Sequence, residues 1–146
     1  MRGRRAVLHK LLGRLPARRE LDGTSWSIQA LPATPSSIGL DDAAQPTGLE
    51  SVQCISVTDC TAVGGYSTSQ GAGGAIAEHW NGSEWKILST ATVSAPISEL
   101  HSLSCGSANS CIAVGDEGST DEQMTFHPHP LVESWNGRVW AVQAAP

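Results

Sequence analysis

Two cysteines six positions apart, occurring twice at a constant offset, constrain this chain more than any other feature. Cys54 and Cys60 return as Cys105 and Cys111, each displaced by 51 residues. Around them LESVQCISVTDCTAVGGY, starting at Leu49, aligns with LHSLSCGSANSCIAVGDE, starting at Leu100; both read L-x-S-x-x-C-x5-C-x-A-V-G. A Gly/Ser-rich loop follows each, then A-E-H-W-N-G at 77–82 or V-E-S-W-N-G at 132–137, then Trp-x-Ile or Trp-x-Val. Such self-similarity means that one supersecondary unit is built more than once.

The spacings that vary do so where loops belong. Cys60 to Trp80 is 20 residues but Cys111 to Trp135 is 24, the extra four falling in DEGSTDEQMTFHPHP. Trp26 to Cys54 is 28 residues against 20 for Trp85 to Cys105, so the linker SIQALPATPSSIGLDDAAQPTG carries eight more. Each repeat resolves into four strand candidates, in the first copy near 49–54, 60–66, 74–80 and 84–89. Beyond the N-terminal stretch there is no sustained helical period, so the expected class is all-β, with antiparallel four-stranded propeller-like blades. A unit of about 50 residues is close to kelch length, and Gly64-Gly65 is similar to a kelch double glycine, which Gly115-Asp116 breaks.

All five tryptophans sit in one device: Trp80 and Trp85 in WNGSEW, Trp135 and Trp140 in WNGRVW, and Trp26 ending LDGTSW. Asn-Gly is a strong hairpin signal because its turn needs positive φ, which Gly82 and Gly137 supply. A two-residue type I′ turn at Asn81-Gly82 would pair Trp80 with Ser83; a four-residue loop would set Trp80 opposite Trp85. Recurrence at every hairpin favours packing between blades over an aromatic platform for sugars.

Cysteines flanking a hairpin end can meet disulfide geometry. Four cysteines allow three connectivities, and the repeat favours the local bridges Cys54–Cys60 and Cys105–Cys111. Loops this short contribute roughly 2–2.5 kcal/mol each on chain-entropy grounds. Such bridges imply an oxidising, extracytoplasmic compartment. The rival reading, a zinc site from all four, lacks the usual C-x2–4-C ligand pairs.

Charge is sharply divided. Residues 1–20 hold seven of the nine basic side chains against Glu20, a net +6, while 21–146 keep Lys86 and Arg138 against thirteen carboxylates, a net −11. So acidic a body offers no footprint for nucleic acid, and no apolar run approaches the roughly 20 residues of a membrane span. The leader is a poor secretory signal because Lys10 and Arg14 interrupt its apolar stretch. Residues 1–20 are read as a disordered leader or a short helix, or as the product of a misplaced start codon. Residues 21–48 are read as the last strand of a partial blade plus linker, 49–90 as a blade, 91–99 as a linker and 100–146 as a second blade.

Candidate chemistry is thin. His127 and His129, near Asp121 and Glu122, are the one cluster with metal-ligand types at plausible spacing, and they fall in the inserted loop. No D-x-D-x-D-G arrangement supports calcium there. No G-x-S-x-G, phosphate-cradling loop or Cys/His dyad occurs, and two basic residues cannot build an arginine clamp for a carboxylate substrate. The reading is therefore non-catalytic, with no cofactor. Asn81-Gly-Ser83 is a formal glycosylation sequon that the turn already explains.

Ser51-Val-Gln-Cys54, Cys60-Thr-Ala-Val-Gly64 and Glu78-His-Trp-Asn-Gly-Ser-Glu-Trp85, with their second copies, resemble the Cys- and Trp-containing tandem repeats of secreted, mostly uncharacterised actinobacterial proteins. The resemblance covers about 22–146 and implies an extracytoplasmic propeller-like fold without an established activity. Since a ring needs about four blades, two cannot close. The expected role is a fragment of a larger propeller, binding a glycan or a protein and covered by further blades or by self-association. The alternatives are part of a glycan hydrolase whose active site lies in other blades, and a structural remnant.

Overall fold

The computed structural model describes Val7–Leu8, Ala17–Leu21, Trp26–Ala30 and residues 45–67 and 72–144, with side chains at 29–30, 48–67 and 72–144. Among these residues every regular element is a strand: β1 (Val7–Leu8), β2 (Ala17–Leu21), β3 (Trp26–Ala30), β4 (Gln45–Ser56), β5 (Asp59–Ser67), β6 (Gly73–Trp80), β7 (Trp85–Leu88), β8 (Ile97–Ser107), β9 (Ser110–Thr120), β10 (Phe126–Trp135) and β11 (Trp140–Val142). They form three antiparallel sheets in simple meander order, β1-β2-β3, β4-β5-β6-β7 and β8-β9-β10-β11. No helix among the described residues is long and apolar enough to cross a membrane.

Each repeat is thus one four-stranded sheet; in the first copy three strands are longer, and the last is shorter, than the sequence pattern suggests. Of the leader, Val7–Leu8 and residues 17–20 lie among the described residues, and the rest of that reading lies outside them. Where apolar spacing suggested a helix or disorder, Ala17–Leu21 pairs residue for residue with Trp26–Ala30, and Val7–Leu8 with Arg19 and Glu20. An unpaired β3 would leave a row of backbone donors and acceptors open, and pairing with β2 satisfies them; that ladder outweighs a weak local helical preference.

The A-V-G glycine of each repeat has a steric cause. Leu49 pairs with Gly64 and Ser51 with Val63, leaving Glu50 as an extra residue; His101 is likewise extra between the Leu100–Gly115 and Ser102–Val114 pairs. These are β-bulges, which bend the inner strand and turn the extra side chain aside. The bend brings the carbonyl oxygen of Gly48 onto Gly64, and that of Glu99 onto Gly115, where a Cβ would collide.

The last two sheets stack face to face. β8 lies across β4, β5 and β6, and the core between the sheets joins Val63, Ala75 and Ala77 to Leu100, Leu103, Cys105, Cys111, Ala113, Leu131 and Trp140. Alternation puts Val63 on this face while Cys60 and Ala62 turn to the opposite one, with Trp85. Burying each large aliphatic contributes roughly 1.5–3 kcal/mol. Polar clasps fix the stacking: the Gln53 amide donates to the Cys105 carbonyl (2.9 Å) and accepts from the Cys105 N–H (2.7 Å). The linker after β7 is pinned by Gly73 N–H to Pro96 O (2.9 Å) and by Ala75 N–H to Ser98 Oγ (3.0 Å).

The Gly115 constraint is testable against Gly106, at which a Cβ meets nothing within 4 Å. In urea melts Gly115→Ala is expected to lose more than ~2 kcal/mol by overpacking, whereas Gly106→Ala changes stability by less than ~1 kcal/mol. Equal effects would remove the bulge explanation.

Candidate functional site

The meander gives each four-stranded sheet two unlike ends. At one end lie the β4–β5 and β6–β7 turns, or β8–β9 and β10–β11. The other end holds the starts of β4 and β8, the ends of β5 and β9, and the linker before β8.

The first end gathers the cysteines and tryptophans. Cys54 faces Cys60 and Cys105 faces Cys111 across their strand pairs, and each pair is bonded. What the sequence shows as a five-residue loop is a two-residue turn, with Ile55 or Gly106 bulged beside it. The Asn-Gly hairpins adopt the four-residue form, so Trp80 pairs with Trp85 and Trp135 with Trp140, rather than Trp80 with Ser83. The reason is the asparagine side chain. Asn81 Oδ1 accepts from the N–H groups of Ser83 and Glu84, both at 3.0 Å, and Asn136 Oδ1 does the same for Arg138 and Val139. These bonds stabilise the wider turn, with Gly82 and Gly137 at φ of 97° and 92°.

The paired indoles lie 5.6 and 5.7 Å apart, tilted at 38° and 37°. The outer ring of each pair anchors the turns to each other, Trp80 Nε1 donating to Val57 O (3.2 Å) and Trp135 Nε1 to Ala108 O (3.1 Å). The inner rings differ. Trp85 Nε1 donates to Gln29 Oε1 of β3 (3.0 Å), whereas Trp140 Nε1 is buried with no acceptor. Leu88 occupies the position equivalent to Gln29, three residues beyond the preceding sheet's tryptophan. Trp26 begins β3, and its side chain lies outside the described residues.

His127 and His129 stand on strand β10, opposite Ser119 and Glu117, and not in a loop. The longer spacing of the second repeat extends the β9–β10 hairpin. β11 pairs only with Glu133, Ser134 and Trp135, so Pro128 and Pro130 lie on an edge where no N–H is needed. His127 Nε2 meets Asp121 Oδ2 at 2.8 Å. That bond, with the Thr125 and Gln123 N–H groups, holds the Asp121 carboxyl below its ordinary range. Among the described residues no three His, Cys, Asp or Glu side chains converge as metal ligands.

The other end carries groups that sequence patterns did not single out. A cleft of about 340 Å³ between the two sheets is walled by Gly48, Gly65, Tyr66, Ile97, Ser98 and Glu99. It adjoins a larger one of about 510 Å³ that runs under the linker; Tyr66, Gly73 and Ser98 line both. The repeats differ here in a telling way. Gly48 pairs with Gly65, but the equivalent pair in the last sheet is Glu99 with Asp116. Gly65 leaves room for Glu99, since a Cβ there would come 2.8 Å from its Cγ.

Burial raises the Glu99 carboxyl above its usual range; His101 opposes the rise, and Glu50 and Asp116 add to it. His101, turned out by the bulge, bonds Asp116 at 2.7 Å. That bond chiefly raises the imidazole against a smaller desolvation penalty, with Glu99 and Glu50 adding attraction for its proton. Of the two basic residues in the acidic body, Lys86 is held 3.0 Å from Glu84. Among the described residues that line the two clefts, Glu99 is the one charged group.

Sequence reasoning also passed over Glu78 and Glu133, although each stands two residues before the first tryptophan of its device. Both are fully buried, at 1% and 0% exposure. Glu133 Oε2 accepts the N–H of Ala91 in the linker (3.0 Å), while its Oε1 has no hydrogen-bond partner. Burial pushes this carboxyl up, the Ala91 N–H pulling the other way. Its recurrence as E-x-W-N-G was the signal that could have found it.

Two outcomes test this geometry. Trp85→Phe removes a made hydrogen bond and Trp140→Phe an unmade one, so the first is expected to cost about 1–2 kcal/mol more in denaturant melts. In an NMR titration His101 is expected to ionise above the ordinary value of about 6.5, and Asp116→Asn is expected to bring it down; an unshifted His101 in the parent chain would refute the pairing. Compared with family models, with curated proteins and with solved structures, the chain matches none.

Proposed function

We propose that the chain is a non-catalytic, extracytoplasmic binding module, one part of a larger propeller-like repeat assembly, and that the cleft beside Glu99 receives its ligand. The observation that carries the reading is the difference between equivalent positions: Gly48 and Gly65 in one sheet, Glu99 and Asp116 in the next. Glycines in the first sheet leave room where the second sheet places the half-buried Glu99 carboxyl. Tyr66 presents an aromatic ring over Gly74, where an added Cβ would come 2.7 Å from the tyrosine hydroxyl. A concave apolar wall with an aromatic ring and a few convergent polar groups is the usual character of a small-ligand site.

The absence of a nearby cation among the cleft-lining residues argues against phosphate and carboxylate ligands and for hydroxyl-rich or cationic ones, with neutral glycans first. The two disulfides, each closing its own hairpin, support a secreted or surface location. The paired indoles serve packing in this reading, because one ring of each pair is buried and the other is tied to a turn carbonyl.

The test is retention of the oxidised chain on immobilised neutral glycans and bacterial cell-wall polymers. Tyr66→Ala or Glu99→Gln is expected to weaken retention at least tenfold, about 1.4 kcal/mol. No retention on any polymer, or retention indifferent to both substitutions, would sink the assignment. Release of a soluble sugar product would favour the hydrolase reading instead.

A further inference from the structure

We infer that Asn81, in the first Asn-Gly turn, is a site of spontaneous covalent modification, losing ammonia through a cyclic imide to become aspartate or isoaspartate. Asn136, in the matching turn, reacts more slowly. The inference stands apart from the glycan cleft, which lies at the opposite end of the sheet.

The reaction needs no partner beyond water. The Gly82 backbone nitrogen bonds to Asn81 Cγ, the Cγ–Nδ2 bond breaks, and ammonia leaves with the proton given up by the Gly82 amide. Water then opens the five-membered imide at either carbonyl. One opening gives aspartate; the other gives isoaspartate, in which the main chain runs through Cβ and Cγ. Glycine suits the attacking position because no side chain hinders its nitrogen.

The two turns share the first requirement, a carboxamide folded toward the attacking nitrogen. Asn81 Oδ1 accepts from the Ser83 N–H, and Asn136 Oδ1 from the Arg138 N–H, both at 3.0 Å. Each bond closes a ring of atoms that contains both Cγ and the glycine nitrogen, which brings the reacting groups together.

The turns differ in the second requirement. Bond formation at Cγ drives negative charge onto Oδ1, and donors already aimed at that oxygen stabilise it. Asn136 Oδ1 receives the N–H groups of Arg138 and Val139. Asn81 Oδ1 receives those of Ser83 and Glu84 and, in addition, the Ser83 hydroxyl at 2.8 Å. Arg138 stands where Ser83 does and has no hydroxyl to offer. Access differs in the same direction, since Gly82 is exposed and Gly137 half-buried. Water and hydroxide therefore reach the Gly82 amide more readily.

The product alters one sheet and leaves the other. The first turn sets Trp80 opposite Trp85 and is closed by the Asn81 N–H donating to Glu84 O (3.2 Å). Isoaspartate adds a methylene to that loop and displaces the oxygen that accepts the three donors. The indole pair of the first sheet then loosens with age while that of the second persists.

Peptide mapping by mass spectrometry of the full, oxidised chain, incubated near neutral pH at ~37 °C, provides the test. A gain of about 1 Da, with isoaspartate labelled by an isoaspartyl methyltransferase, is expected at Asn81 about fivefold faster than at Asn136, the effect of one further hydrogen bond. Ser83→Ala should slow Asn81 to the Asn136 rate and Arg138→Ser should speed Asn136, with circular dichroism unchanged. In urea the two rates should converge, because the donors are lost. Equal rates in the folded chain, Asn136 reacting first, or indifference to Ser83→Ala would each overturn the inference. So would an Asn81 that stays intact after the unfolded control has reacted, or a difference that survives unfolding and so belongs to the flanking sequence alone.

Discussion

The contact on which the described structure depends is the laying of β8 over the β4–β7 sheet. A four-stranded antiparallel meander has two faces, and when both carry small or aliphatic side chains it cannot leave both in water. Val63, Ala75 and Ala77 are small enough to let β8 approach closely. Leu100 and Leu103 from β8 and Leu131 from β10 then fill the space. The Gln53 amide, bonded to both backbone groups of Cys105, fixes where along the face β8 settles. Apolar burial supplies the stabilisation, and the paired hydrogen bonds supply the register.

That register shapes everything at the two ends. With β8 in place, the start of one inner strand lies beside the end of the neighbouring sheet's second strand. Glu99 therefore reaches Gly65, and the cleft walled by Tyr66 and Ser98 forms between them. The bulges at Glu50 and His101 add side chains to the rim that a regular ladder would have turned elsewhere. The linker is tied down in turn by the buried Glu133, whose hydrogen bond to Ala91 crosses from the last sheet to the connection that leads into it. Its other oxygen has no hydrogen-bond partner, so the Ala91 N–H offsets only part of the cost of burying the carboxyl.

Much of this was legible in the primary structure, and the reason is repetition. Two copies of one pattern separate positions that every unit needs from positions that only one unit uses. The strand count per repeat and the turn glycines Gly82 and Gly137 were visible because backbone geometry restricts which residues can stand there. The hairpin type was not, since Asn81 serves a two-residue and a four-residue turn equally well until its side-chain oxygen is seen to accept from Ser83 and Glu84. His127 and His129 were assigned to a loop because an insertion and two prolines look like one; the short β11 leaves an edge that tolerates both. The pairing of Ala17–Leu21 with Trp26–Ala30 was not legible, because local periodicity says nothing about a strand waiting elsewhere for a partner.

What the sequence by itself determined is the unit: a four-stranded antiparallel meander, with cysteines at one hairpin and paired tryptophans at the next. Those features depend on contacts between neighbours in the chain, so local pattern suffices to specify them. Only the tertiary structure decided which faces of the units meet, why Gly65 and Asp116 differ at equivalent positions, and why Trp85 finds an acceptor where Trp140 finds none. Each of these depends on what the adjacent sheet places opposite. Two residues in identical local patterns have different surroundings because the sheets beside them differ, Gln29 lying beside Trp85 where Leu88 holds the equivalent position before Trp140.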